Sequence, residues 1–218
     1  MDLSAAFDLV DHSLLTQKLK AYGLNDDSLE WISTYLNHRY QAVWLDHVLS
    51  DFIEVKTGVP QGSNLGPLFF LIFFNDLPEV LDNVMDNYAD DSTVTAKGTT
   101  VHEIETKLSA DCTSVCNWMA ENKLKINPEK TKIMTLCTET RQRNLYRPLE
   151  VNMNGIFIKE EYNKPELLLG CKIQANLKWD SQVLGLLEKL KSRLAGIRKI
   201  QKVAPFDVKK IVTQGRSF

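Results

Sequence analysis

Apolar residues recur at helical spacing in five places along the 218-residue chain, most of them next to residues that start or stop a helix. After Asp11, Leu15, Leu19 and Tyr22 share one face until Gly23, predicting a helix over about 12–22. Leu29, Ile32 and Leu36 follow DSLE, whose Asp27 and Glu30 have the spacing of a capping box. LGPLFFLIFF, residues 65–74, is apolar nearly all round and predicts a buried helix with Pro67 in its first turn and an end near Asn75 to Pro78. Thr100 and Glu103 open the clearest helix, with Val101, Ile104, Leu108, Val115 and Trp118 on one side. The last run, VLGLLEKLKSRLAGIRKIQK, sets Leu187, Leu190, Leu194 and Ile197 among basic residues.

Between the helices, alternation and turn residues predict hairpins. QAVWL and DFIEV flank DHVLS, NVMDNYADDSTVT turns at YADD, and LEVNMNGIFIK turns at Asn154-Gly155. KINPEKTKIMTLC predicts a loop and then a strand, and Thr138 to Tyr146 a flexible connector. Strands in hairpins alternating with helices indicate an α+β fold, a sheet backed by helices.

Composition is that of an ordinary globular chain, 44% hydrophobic and 25% charged, which argues against disorder or a membrane class. The longest apolar run is ten residues and includes Gly66 and Pro67, too short to span a bilayer, so no membrane partner is expected. MDLSAAFDLVD has no basic start or cleavage site of a secretory signal, so an intracellular protein is expected. Cys112, Cys116, Cys137 and Cys171 lack paired zinc spacing and are expected as reduced thiols.

The net charge of −2 hides an asymmetry. Residues 1–100 carry 5 Lys/Arg against 15 Asp/Glu, a net of −10, whereas residues 182–218 carry 9 against 2, a net of +7. An acidic block is either a solvated face or a cluster that holds cations. YADD, Tyr88 to Asp91, poses the same choice locally: two adjacent carboxylates make an ordinary turn tip, or both reach one cation. A third carboxylate elsewhere would favour the cation, and DLSAAFD supplies Asp2.

Together, DLSAAFD, GVPQGSNLGP and YADD, in that order, resemble the reverse transcriptases of non-LTR retrotransposons, of the LINE-type and jockey-like kind, over nearly the whole chain from Asp2 to about Lys202. The resemblance implies an RNA-directed DNA polymerase that joins nucleotides by a two-metal mechanism, with Mg²⁺ or Mn²⁺ as cofactor and Asp2, Asp90 and Asp91 as ligands. It implies a bulky gate under the incoming sugar at Phe7, nucleotide and template contacts at Gln61, Gly62 and Tyr88, and a lysine near the triphosphate at Lys130. Plain alternatives stand beside these: a core phenylalanine for Phe7, a surface lysine for Lys130. LLLGCKI, with Leu169 and Gly170, resembles the strand that grips the primer. NLKWDSQV resembles the entry to the thumb, although the family usually has His where Gln182 stands. Lys191, Arg193, Arg198, Lys199 and Lys202 would then run along the nucleic-acid backbone without sequence preference.

The implied architecture is a polymerase palm over residues 1–145, primer-grip and connector hairpins over 146–180, and the start of a helical thumb over 181–218. The implied partners are an RNA template, a DNA primer and deoxynucleoside triphosphates, with the nucleus as site of action if the family mechanism applies and the cytoplasm otherwise. In the family the polymerase begins well before the first catalytic Asp, with fingers that clamp the triphosphate. The 218 residues by themselves are therefore expected not to extend a primer, with the fingers and an endonuclease supplied by other segments. A non-catalytic remnant that binds nucleic acid or protein is the alternative.

Overall fold

The computed structural model describes residues 1, 3, 6–138, 147–161 and 164–203, the last four of these by backbone alone. Of the expected connector at 138–146, residues 139–146 lie outside the described residues. The chain divides into two compact units, one of residues 1–133 with 148–160 and the other of residues 134–147 with 161–218.

The first unit is built on four helices: α1 (His12–Ala21), α2 (Asp26–Leu36), α3 (Leu65–Phe74) and α4 (Val101–Glu121). Asp11 caps α1 by accepting from the Ser13 and Leu14 amides, and Gly23 ends it with φ 91°. The cap of α2 is Asn25, which accepts from the Ser28 amide, and not the DSLE box. Asn25 sits where the backbone is still extended, so Asp26 and Asp27 fall in the first turn, where carboxylates favour the positive end of the helix dipole. Thr100 caps α4 as its spacing indicates.

Leu15 and Leu19 of α1, Leu29, Ile32 and Leu36 of α2, four phenylalanines of α3, and Val115, Trp118 and Met119 of α4 form one core. Phe70 is at its centre, stacked on Phe74 at 5.4 Å, and Phe74 meets Trp118 edge-on at 5.4 Å. Contrary to the all-round pattern, α3 has an exposed side, where Leu68 and Leu71 are about half accessible. Lys18 enters this core, donates to the Phe73 carbonyl at the end of α3, pairs with Asp76 at 2.7 Å and lies 4.6 Å from the Trp118 ring centre. Burial lowers its pKa, and Asp76 offsets part of that. Asp11 also bonds Lys123; burial pushes its carboxyl up, but the bonds from Lys123, Ser13 and Leu14 together hold it below the ordinary carboxylate range.

The strands pair as ribbons. β1 (Arg39–Gln41) pairs with β4 (Ile53–Val55), and β2 (Trp44–Leu45) with β3 (Val48–Leu49) across Asp46 and His47, whose φ values of 45° and 66° fit a tight hairpin turn. The connector DHVLS thus holds both the turn and a strand. β5 (Val84–Tyr88) pairs with β6 (Asp91–Thr95), and β7 (Glu150–Met153) with β8 (Ile156–Lys159) across Asn154-Gly155. Among the described residues these remain two-stranded ribbons and do not join into one sheet. The strand expected in KIMTLC is not formed; Ile126 in the preceding loop bridges to Leu3. The mixture of helices and small antiparallel ribbons is an α+β fold.

Two buried carboxylates that periodicity does not reveal tie α4 to its neighbours. Glu105 accepts from the Glu150 amide of β7 at 2.9 Å, and Asp111 accepts from the Asp82 amide and the Asn83 side chain. Each replaces water for a polar group that packing would otherwise strand. The Cys112 thiol is pushed up to about 11 by burial first, then by Cys116 and Asp111, and all four cysteines are free. No helix among the described residues is long and apolar enough to cross a membrane.

At the start of α4, Lys107 and Thr99 bond the Glu103 carboxylate and depress its pKa to about 2 from an ordinary 4.5. The folded value is below the unfolded one, so this stabilisation is complete above about 4.5 and disappears as pH falls toward about 2. Urea unfolding of wild type and Glu103→Gln should therefore give different midpoints at pH 7 that converge between those limits. Midpoints that keep their separation at pH 2 would contradict this account.

The second unit holds β9 (Glu166–Leu168) and β10 (Cys171–Ile173), paired antiparallel, and the long helix α5 (Asp180–Val203). LLLGCKI, expected as one strand, is bent at Leu169 and Gly170, with φ 47° and 81°. On α5 the apolar stripe of Leu187, Leu190 and Leu194 is solvent-exposed.

Candidate active site

The register of β5 and β6 runs from Val84 opposite Thr95 to Tyr88 opposite Asp91, which leaves Ala89 and Asp90 as a two-residue turn. Ala89 takes φ 53°, a conformation that costs a residue with a Cβ about 1–2 kcal/mol. Asp90 is half-buried, while Asp91 and Tyr88 are exposed. Neither carboxylate has a side-chain hydrogen bond or ion pair among the described residues. Two like charges therefore stand together at a tip with nothing from these residues to neutralise them.

The flank of this ribbon is paired to the start of the chain. The Met1 terminal ammonium donates to the Ser92 carbonyl at 2.5 Å, and the Ser92 amide donates to the Met1 carbonyl at 3.3 Å. Leu3 bridges to Ile126. Asp2 lies outside the described residues, as does the side chain of Lys202. The Ser92 hydroxyl is buried and makes no hydrogen bond among the described residues. No group of three His, Cys, Asp or Glu gathers among the described residues; Asp90 and Asp91 contribute two oxygen-donor side chains of the kind that hard divalent cations prefer.

GVPQGSNLGP docks on the segment just before α1. The Gly58 amide donates to the Val10 carbonyl at 2.8 Å, the Val59 amide to the Phe7 carbonyl at 2.9 Å, and the Thr57 hydroxyl to the Asp8 carbonyl at 2.9 Å. His12 Nε2 donates to the Gly58 carbonyl at 2.8 Å. A side chain at Gly58 would come within 2.7 Å of the Asp8 Cα, and its φ is 84°. This glycine serves contact of the chain with itself. Gly62, with φ 77°, has open space where a side chain would be. The Gln61 amide donates to Asp8 Oδ1 at 2.9 Å and stays exposed.

Phe7 is partly buried and stacks on Phe70, with ring centres 4.4 Å apart, so it is anchored to the core while one side remains accessible. Lys130 is exposed in a turn, its amide donating to the Asn127 carbonyl. Phe7, Asp8 and the 57–62 loop are thus brought together by hydrogen bonds, whereas Leu169, Gly170, Lys191, Arg193, Arg198 and Lys199 belong to the second unit. Sequence reading missed Asp8 and His12 as the residues that hold the loop. Their signal is weak, a second acid in DLSAAFD and a histidine opening a helix.

Residues 1–184 match the family described as Reverse transcriptase (RNA-dependent DNA polymerase). The chain is 25% identical over 203 residues to the RNA-directed DNA polymerase from mobile element jockey of Drosophila melanogaster, a match covering 89% of this chain and 21% of that protein. It is 30% identical over 145 residues to the probable RNA-directed DNA polymerase from transposon BS of the same species, covering 60% of this chain and 15% of that one. The probable RNA-directed DNA polymerase from transposon X-element, also of Drosophila melanogaster, is 24% identical over 200 residues, or 89% and 21% of the two chains. The chain spans 15% to 21% of the length of these relatives.

Proposed function

We propose that this chain, which belongs to the reverse transcriptase (RNA-dependent DNA polymerase) family, is the catalytic core segment of a non-LTR retrotransposon polymerase that adds nucleotides to a primer on an RNA template. The observation that carries this reading is the Asp90-Asp91 tip beside the start of the chain, whose carboxylates have no partner among the described residues. The start of the chain, at Met1, is hydrogen-bonded to Ser92, next to Asp91, and the family resemblance makes Asp2 the third ligand. Asp2, Asp90 and Asp91 would hold two divalent cations, Mg²⁺ or Mn²⁺. Bound there, such ions polarise a phosphoryl oxygen and favour ionisation of the attacking hydroxyl.

The protein's own contribution is positional. The 57–62 loop, fastened to the segment before α1, presents Gln61 and the open backbone at Gly62 toward a nucleotide. Phe7, held from behind by Phe70, blocks a 2′-hydroxyl, and the Lys130 ammonium meets triphosphate charge. Residues 1–145 are read as palm, 146–180 as primer-grip hairpins and 181–218 as the start of a thumb whose cations follow the duplex backbone.

For the isolated chain, Mn²⁺ titration followed by calorimetry should show binding that Asp90→Ala weakens by more than the about 10–100-fold typical of a residue that only orients a ligand, without primer extension on RNA. Extension is withheld because ligands must be fixed to about half an ångström, and the exposed Asp91 side chain has no partner to fix it among the described residues. Unchanged Mn²⁺ affinity in Asp90→Ala would defeat the metal assignment. Robust extension abolished by that substitution would defeat the second half.

A further inference from the structure

The primer-grip-like hairpin and the basic helix are joined by a set of contacts that no motif announces. The Lys172 amide on β10 donates to Gln182 Oε1 in the first turn of α5 at 2.9 Å. In the reverse direction, the Ser181 amide at the start of α5 donates to Gln174 Oε1, just past β10, at 3.1 Å. Between them Leu177, at φ 57°, turns the chain, and its amide donates to the Gln174 carbonyl at 2.8 Å. The Lys172 side chain then crosses the helix at Gly185: its Nζ lies 3.4 Å and its Cε 3.8 Å from where a Cβ would stand there. A glycine inside a helix costs about 0.5–1 kcal/mol relative to alanine, so its position under a lysine is a departure from what the helix alone favours.

We infer that Gln182 and Gly185 are positioning residues that dock the β9–β10 hairpin on the first turns of α5 and bring the Lys172 ammonium to the helix face that carries Arg193 and Lys199, so that hairpin and helix meet a nucleic-acid duplex as one cationic surface. This rests on the nucleic-acid reading proposed above. The physical reason is pre-organisation: two surfaces held at a fixed angle bind together without first ordering the joint. A side-chain amide suits the task because Gln182 Oε1 accepts from the Lys172 amide without titrating.

Two readouts separate the joint from its use. Amide hydrogen exchange of the 218-residue chain reports the joint: Gln182→Ala should speed exchange at Lys172 at least tenfold and leave β7 and β8 unchanged. Fluorescence anisotropy with a labelled RNA–DNA hybrid reports its use. Gln182→Ala should weaken binding roughly five- to tenfold, the value of one lost hydrogen bond, and Gln182→His should restore most of it. Gly185→Leu should strengthen the helix yet weaken hybrid binding, with the slope of log affinity against log salt about one unit shallower because the Lys172 cation is displaced. A purely structural role predicts the opposite sign for Gly185→Leu. Wild-type affinity and salt slope in both Gln182→Ala and Gly185→Leu would overturn the inference, as would unchanged Lys172 exchange in Gln182→Ala. Faster Lys172 exchange in a chain that binds no hybrid would confine the failure to the nucleic-acid reading and remove the proposed use of the joint.

Discussion

Phe70→Ala should destabilise the first unit by about 3–5 kcal/mol, measured as a shift of the urea midpoint at unchanged slope. Phe70 is fully buried, stacked between Phe7 at 4.4 Å and Phe74 at 5.4 Å. Truncation removes the burial of an aromatic ring and leaves a cavity that three helices cannot close without moving. Phe70→Leu should retain most of that stability, because it keeps volume and loses mainly the stacking. A double-mutant cycle with Phe7→Ala should give a coupling of about 0.5–1.5 kcal/mol. In a longer polymerase carrying the same segment, the loosened Phe7 should admit more ribonucleotide relative to deoxynucleotide. Additive stabilities and an unchanged sugar preference would mean that Phe7 is neither supported by Phe70 nor a gate.

Gly58→Ala should cost about 2–4 kcal/mol, about twice the effect at Gly62. The added carbon meets the Asp8 backbone at 2.7–2.9 Å, and a backbone atom cannot swing aside as a side-chain tip can. Its φ of 84° adds the left-handed penalty. Relief requires lifting the loop off Asp8, which breaks the bonds to Val10, Phe7 and Asp8 and frees Gln61. Gly62→Ala carries only the left-handed penalty, about 1–2 kcal/mol, since nothing lies within 4 Å. Equal losses at the two glycines would show that the loop yields easily and that the approach to Asp8 is not what requires Gly58.

The helices were legible because their determinants are local. Asp11, Thr100 and Gly23 act within a turn of themselves, and the apolar stripes of α1, α2 and α4 follow the 3.6 period. Partners distant along the chain were not. Glu105 and Asp111 look like solvated positions of α4 until the segments that need an acceptor, 82–83 and 150, are brought against them. The cap of α2 was misplaced by two residues because Asp27 and Asn25 are both good caps, and the choice depends on where the chain leaves Gly23 and Leu24. KIMTLC has strand composition, but a strand forms only with a partner strand, and among the described residues none pairs with it; the one bridge nearby is at Ile126 in the preceding loop. For the site, the YADD turn was legible from its residues. The reason for Gly58 was not, since the surface it approaches is 50 residues upstream at Asp8.

Asp11 joins two events that are far apart in time. It caps α1 through neighbours two and three residues away, yet its second partner, Lys123, is 112 residues further along. At synthesis rates of about 5–20 residues per second, the first helix is made and capped about 5–20 s before that lysine exists. Leu3 must wait as long for Ile126, and Met1 nearly as long for Ser92. During translation the helices can therefore assemble early, while the start of the chain and the acidic turn come together late, after most of the core residues have been made.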